Sequence, residues 1–352
     1  MAKVLSLFSG SLASRLATRI VEQHPDVECV YLLYFRSPFS REFDGLRQLV
    51  KSEWPHAIFR TQSIKKEYRR LVEVTDDGEF SLERSCYNCR SLLLGKAIRY
   101  MERIGAEYIV SGEIPGANQP SAKQLRGIAE RLGVGDRILR PLWGSPVPSR
   151  ARGLDQWLER NRNGNRSREG GASIEKLARD VGLELVDPMA SCWRCKLLTP
   201  GFGDRVASLF GESGFTLNAL RLLDFPLYYK VRPDVKIILA RDESEKRELQ
   251  NLFLPQDLRV YPSTPHGPMT LVRTNWSERS HADQQTIVEL AARITATFAD
   301  AKRTSTIPIY YRLESEDETL LLNAYPFGTP GEIAALPSVE MIPLAGEEIL
   351  IG

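Results

Sequence analysis

The chain has 352 residues, of which 42% are apolar and 26% charged, and its net charge is +2. That length accommodates two or three domains with real cores, and the composition excludes a disordered chain. So small a net charge excludes a generally basic surface, leaving only local clusters to meet nucleic acid. Residues 3–9 form a short apolar run that predicts a first strand ending in Ser-Gly, and residues 12–22 carry helical spacing. Residues 27–35 are nearly continuous and β-rich, as in a strand buried on both faces of a parallel sheet. Helical patterns follow at 40–53, 65–74, 91–104 and 121–132, alternating with strand patterns at 57–63, 107–111 and 137–142. This alternation predicts an α/β fold, a doubly wound parallel sheet spanning residues 1–145.

Residues 146–200 have a different character. Gly144-Ser145-Pro146-Val147-Pro148 stops regular structure, and residues 161–171 are rich in Arg, Asn and Gly. An exposed connection with one helix at 174–181 is expected there. Residues 201–352 predict a smaller α+β domain, with helices at 204–210, 243–252 and 282–299 and strands at 235–240, 307–313 and 319–324. No window reaches the roughly 20 apolar residues that span a bilayer. The apolar start is too short for a signal segment, so a cytoplasmic protein without a membrane partner is expected.

Four of the five cysteines form two C-x-x-C pairs, Cys86/Cys89 and Cys192/Cys195. In a reducing compartment such pairs point to metal binding or redox chemistry. Four thiolates suit one tetrahedral Zn²⁺ or a 4Fe-4S cluster, if the fold unites the pairs. Cys29 lies in the apolar run 27–35 and reads as a small core residue. The strand that ends in Ser9-Gly10-Ser11 and feeds a helix would place amides and a helix N-terminus around one point, an arrangement suited to phosphate. The four histidines are scattered without ligand spacing.

Several segments are similar, in the same order, to one family. Leu7-Phe8-Ser9-Gly10-Ser11-Leu12-Ala13-Ser14 resembles the SGGxDS loop of PP-loop ATP pyrophosphatases, a group that includes tRNA thiolation enzymes. Ser85-Cys86-Tyr87-Asn88-Cys89-Arg90 resembles the N-P-C-x-x-C-R segment of the 4-thiouridine and 2-thiouridine synthase-like branch. The run from Gly105 to Glu113 resembles its G-A-D-x-I-x-T-G-E/H strand and loop. Asn165-Arg166-Ser167-Arg168 is similar to a G-R-S-R element, and Cys195-Lys196-Leu197-Leu198-Thr199 to a C-L-L-T element. Arg232-Pro233-Asp234-Val235-Lys236 through Arg241 resembles the S-P-D-V-K…G-R segment of an RNA-binding-like domain. The resemblance covers roughly residues 3–275.

The resemblance implies a nucleotide site for ATP with Mg²⁺ at Ser9, Gly10, Ser11 and Ser14, joined by Ser111, Gly112 and Glu113. It implies sulfur chemistry at Cys89 and Cys195, the first of them leading into the helix at 91–104, where a helix N-terminus would lower its pKa. It also implies contact with tRNA or another structured RNA through Arg166, Arg168, Arg232, Lys236 and Arg241, with Tyr228 and Tyr229 able to stack on bases. A sulfur-donor protein would be a further partner. Two positions depart from the family loop. Ser11 replaces its second glycine and Ala13 its acidic residue, which adds a Cβ near the anion and removes a carboxylate that could engage Mg²⁺. Two readings stay open. One is a tRNA thiolation-like sulfurtransferase that activates a uridine with ATP and delivers sulfur through cysteines or a cluster. The other is a non-catalytic PP-loop relative that binds RNA or a partner protein, with Cys86, Cys89, Cys192 and Cys195 holding a structural zinc or iron–sulfur cluster.

Overall fold

The computed structural model describes residues 2–40, 45–64, 67–114, 120–143, 171–184, 195–210, 215–264, 266–299 and 305–344. The chain divides into two compact units, Met1–Leu198 and Thr199–Gly352. Among the described residues no helix is long and apolar enough to cross a membrane.

The first unit is an α/β domain. Its strands β1 (Ala2–Leu7), β2 (Val27–Arg36), β3 (Ile58–Ser63), β4 (Tyr108–Ser111) and β5 (Ile138–Leu139) form a parallel sheet in the order β3-β2-β1-β4-β5. Helices α1 (Leu12–Glu22), α2 (Leu46–Glu53), α3 (Leu82–Ile104), α4 (Ala122–Arg131) and α5 (Gly171–Asp180) connect and flank them. Alternate strand residues sort to opposite faces. Val4, Leu32, Val110 and Leu139 meet Leu16 and Ile20 of α1, Val50 of α2 and Ala178 of α5 in one core. Leu5, Leu33, Ile109 and Ile138, all buried, point the other way. The chain changes direction across the sheet between β1 and β4, and the carboxyl ends of strands at such a switch are where open α/β sheets hold ligands.

Two helices differ from the expectation. Among the described residues of the segment 65–74 there is only a 3-10 turn, Tyr68–Leu71. Helix α3 starts at Leu82 instead of near residue 91. Its first two turns carry Glu83, Arg84, Tyr87 and Asn88, so the apolar period that announces a helix begins late. Tertiary contacts hold those turns in place. Ser85 is fully buried, its Oγ accepts from the Glu73 amide (2.8 Å), and Asn88 donates to the Glu73 carboxylate (3.0 Å). Gly105 closes the helix in the left-handed region (φ 65°).

The second unit is built on an antiparallel sheet. Strands β6 (Leu227–Val231), β7 (Val235–Ala240), β8 (Leu258–Pro262), β9 (Met269–Arg273), β10 (Ile307–Leu313), β11 (Leu320–Ala324) and β12 (Val339–Met341) run in the order β11-β10-β8-β9-β7-β6-β12. Its helices are α6 (Phe202–Ala207), α7 (Leu217–Leu222), α8 (Glu243–Gln250), α9 (His281–Thr297) and α10 (Pro330–Ala334). Helix α9 buries Ile287, Ala291 and Ile294 in the core with Ile237, Val260, Val272 and Ile309. A fully buried Arg205 donates to the carbonyls of Leu223 (2.9 Å), Phe225 (2.7 Å), Pro226 (3.0 Å) and Ile342 (2.6 Å). Those bonds satisfy a guanidinium that would otherwise be costly to desolvate.

Candidate functional site

The loop after β1 is shaped by its own serines. Gly10 has a φ of +83°, a conformation that favours glycine. Ser11 caps α1, its side chain accepting from the Ser14 amide (3.3 Å). Ser9 Oγ lies 3.0 Å from Ser11 Oγ and 3.2 Å from Ser14 Oγ, within donating reach of both. Ser14 Oγ in turn donates to the Ser11 carbonyl (3.0 Å). The amides of Ser9 and Ser11 donate to Ser14 Oγ (3.3 Å) and Ser9 Oγ (3.4 Å). The loop is therefore closed on itself. Three amides that could have cradled a phosphate donate internally, and Ala13 offers no oxygen to Mg²⁺. As folded, this donor set does not match what a magnesium triphosphate requires.

The end of β4 abuts the same loop. A Cβ on Gly112 would come within 2.5 Å of the Ala13 carbonyl oxygen and 2.7 Å of Ser14 Cα. Ser111, Gly112 and Glu113 thus stand beside Ser9, Ser11 and Ser14 at one cavity of about 470 Å³. The Glu113 carboxylate lies 3.6 Å from Arg90 Nε and 3.5 Å from Arg140 Nε. Its carbonyl accepts from Trp143 Nε1 (2.6 Å), and the Arg140 guanidinium sits 4.4 Å from the Trp143 ring centroid. Burial pulls the Arg140 pKa down from its ordinary value, and Glu113 offsets part of that pull. Two guanidiniums thus approach one carboxylate at a cavity also lined by Leu33, Leu94, Leu125 and Ile138.

Arg140 and Trp143 were not singled out from the sequence. The signal available was position, because Arg140 follows the carboxyl end of β5, at the rim where the ligand sites of such sheets lie.

Cys86, Cys89 and Cys195 line the same cavity. The first two sit one turn apart on α3. Cys195 precedes a 3-10 turn, Lys196–Leu198, that is tied to the sheet side by the Lys196 amide donating to the Phe39 carbonyl (2.8 Å). Cys192 lies outside the described residues. The structure corrects the expected activation of Cys89, because α3 begins at Leu82 and Cys89 falls in its third turn. The field of a helix end fades within the first turn. Burial instead raises the Cys89 pKa, with Arg90 only partly offsetting it, and raises Cys86 likewise. Cys195 is pushed up to about 12, first by burial and then by the nearby Cys89. Among the described residues, no group of three or more His, Cys, Asp or Glu side chains is disposed to hold a metal ion. The three described thiols thus line one cavity, while the fourth cysteine of the expected set lies outside the described residues.

Raised thiol pKa values have a consequence for stability. Near neutral pH both the folded and unfolded chains keep these protons. Above the ordinary value of 9.0 the unfolded chain releases them while the folded chain does not. Stability of the first unit is expected to fall as pH rises past about 9, as read by thermal melting across an alkaline series. Near neutral pH, alkylation of the three thiols is expected to be slow in the native protein and to accelerate on unfolding. Fast labelling of native Cys89 near neutral pH would contradict this.

The sequence-predicted RNA contacts are placed as follows. Arg166 and Arg168 lie outside the described residues. Arg232 is exposed, and its amide donates to the Ser338 carbonyl (2.9 Å). Lys236 is buried on β7, at 6% exposure, and Arg241 is held by the Glu245 carboxylate (2.9 Å). Tyr228 and Tyr229 are buried in β6 at 2% and 1% exposure, which corrects the expectation that they stack on bases. The alternating register of β6 gives both tyrosines cover, Tyr229 in the α9 core and Tyr228 beneath the Arg205 guanidinium on the opposite face.

Residues 228–329 match the family model of the NFACT protein RNA binding domain. The match runs from the second residue of β6 to Thr329, immediately before α10, and so includes β7–β11, α8 and α9. No curated protein matches the chain. Among solved structures, the chain is similar to the C-terminal part of the fibronectin/fibrinogen-binding protein from Streptococcus suis, at 10% identity and a TM-score of 0.26, over 50% of this chain and 75% of that one. It is also similar to a predicted subunit of tRNA methyltransferase from Methanocaldococcus jannaschii, at 11% identity and a TM-score of 0.30, over 55% of this chain and 92% of that one. Both scores are too low to bear on the fold.

Proposed function

We propose that this protein binds RNA through its second unit, and that its first unit is a PP-loop relative in which the ATP chemistry has been lost. The observation that carries the RNA reading is the match of residues 228–329 to an RNA-binding domain. The PP-loop reading is supported by the strand order β3-β2-β1-β4-β5, by helices on both faces in the manner of a doubly wound sheet, and by a serine-rich loop at the switch point. Loss of ATP chemistry is supported by the self-satisfied hydroxyls of Ser9, Ser11 and Ser14 and by Ala13.

One observation favours a second reading, a tRNA sulfurtransferase. Cys89 and Cys195 share a cavity with the loop and with Glu113. Against it stand their raised pKa values, which keep both sulfurs protonated and poorly nucleophilic near neutral pH. The two readings separate in one assay. The full chain is incubated with ATP, magnesium, a persulfide donor and bulk tRNA, and nucleosides are analysed by mass spectrometry alongside pyrophosphate release. The first reading predicts tRNA binding with neither pyrophosphate nor thiouridine. Thiouridine that disappears in Cys89→Ser would establish the second instead.

A further inference from the structure

We infer that the outer face of strands β8, β10 and β11 is a platform on which unpaired RNA bases stack, with Tyr261 and Tyr310 as the stacking rings. This rests on the RNA-binding reading above and locates its surface.

Strand register defines the face. Tyr310 of β10 lies opposite Tyr261 of β8 on one side and opposite Leu321 of β11 on the other. Directly paired residues point to the same side of a sheet. Their neighbours Val260, Ile309 and Leu322 point into or against the α9 core, so Tyr261, Tyr310 and Leu321 point away from it. The two rings are half-buried, with centroids 5.8 Å apart and planes inclined by 36°. Leu321 continues the strip toward the sheet edge at 56% exposure. Half-exposed rings side by side on a sheet, ending in an apolar side chain, match the π-faces of successive bases, as in other sheet-based RNA readers.

One charge on the same face, Arg312, favours RNA over a purely apolar partner. The next cross-strand pair is Arg312 opposite Arg259. Glu314 neutralises Arg259 (2.5 Å), whose guanidinium also lies 4.4 Å from the Phe253 ring centroid. Among the described residues Arg312 donates only to the Glu316 carbonyl (3.5 Å), so its charge stands beside the tyrosines for a phosphate. Glu316, Asp317 and Glu318 in the β10–β11 turn are exposed and would repel a backbone running past Arg312. They bound the platform, and the strand must leave toward the Pro308 and Asn323 end. All of these contact residues lie within residues 228–329. None of them is in the Arg232, Lys236 and Arg241 set that the sequence suggested.

The test uses the full chain and two labelled probes, a short oligouridylate and a blunt RNA duplex. Tyr261→Leu and Tyr310→Leu keep an apolar body on each strand and remove the ring. Each is expected to weaken oligouridylate binding by about fivefold or more, the lower end of what loss of one stacked base costs. The duplex, whose bases are already stacked, is expected to lose less than twofold. Arg312→Glu is expected to weaken both probes and flatten the salt dependence. Thermal melting confirms that each variant is folded. Ultraviolet cross-linking of the oligouridylate to Tyr261 or Tyr310 is the expected second signature. If the unaltered chain binds RNA but the tyrosine variants bind as well and cross-links map elsewhere, the platform is wrong and the RNA reading survives. If the unaltered chain binds neither probe, the RNA reading itself fails, and the platform with it.

Discussion

Replacing Asp257 by alanine is expected to destabilise the second unit by about 3–5 kcal/mol, the cost of leaving one member of a buried ion pair alone. Asp257 is fully buried immediately before β8. Its carboxylate accepts from Arg273 Nε (2.9 Å) and the second Arg273 nitrogen (2.6 Å), and also from the Leu254 amide (2.7 Å). Arg273, at the end of β9, reaches on to Asn218 Oδ1 (2.7 Å) and the Leu252 carbonyl (2.9 Å). One pair therefore joins α7, the end of α8 and two central strands. Removing the carboxylate strands a guanidinium with 13% exposure. Urea unfolding of the full chain, followed by probes in each unit, reads the effect because two units need not unfold together. The double variant Asp257→Leu with Arg273→Met is expected to be milder than Asp257→Ala, since no unpaired charge is left. A cost below about 1 kcal/mol for Asp257→Ala would show that the pair is solvated in a way its burial denies.

Gly112→Val is expected to be the most damaging single change at the cavity. The obstacle is backbone, with the Ala13 carbonyl oxygen 2.5 Å and Ser14 Cα 2.7 Å from the position of the new Cβ. Nothing there is a flexible side-chain end that can swing away. Overpacking of this kind costs about 1–3 kcal/mol even where a core can adjust. The expected result is a lower melting temperature for the first unit, together with loss of the close contact between the β4 end and the loop. Gly95→Ala is the matching control. Gly95 lies inside α3 with nothing within 4 Å of an added Cβ, so alanine is expected to stabilise by about 0.5–1 kcal/mol through helix propensity. Equal effects of the two substitutions would refute the packing described for Gly112.

How much of this could be read in the sequence depended on how local the determinants were. Strands β1 and β2 and helix α1 were legible because each carries its own hydrophobic period. The convergence of Cys86, Cys89 and Cys195 was legible only through the family resemblance, since nothing in local spacing brings positions so far apart together. The start of α3 was not legible, because buried Ser85 and its bond to the Glu73 amide, a tertiary contact, hold the polar first turns. Strands β8 and β9 were missed for a related reason. Each is five residues long, with Arg259 and Thr270 interrupting the apolar pattern, and only pairing within the seven-stranded sheet gives those residues partners. The burial of Lys236, Tyr228 and Tyr229 was hidden as well. Sequence shows which residues share a strand face, and the cover on that face comes from elements far away in the chain.

The central claim is RNA binding by the second unit, and a salt titration with mapped cross-links tests it most directly. Full-length protein is titrated into labelled bulk tRNA and short oligouridylate at several salt concentrations, and the bound RNA is cross-linked and mapped by mass spectrometry. The account predicts binding at low salt, a linear fall of log affinity with log salt concentration, and cross-links within residues 228–329. No binding at low salt, or cross-links confined to residues 1–198, would contradict it.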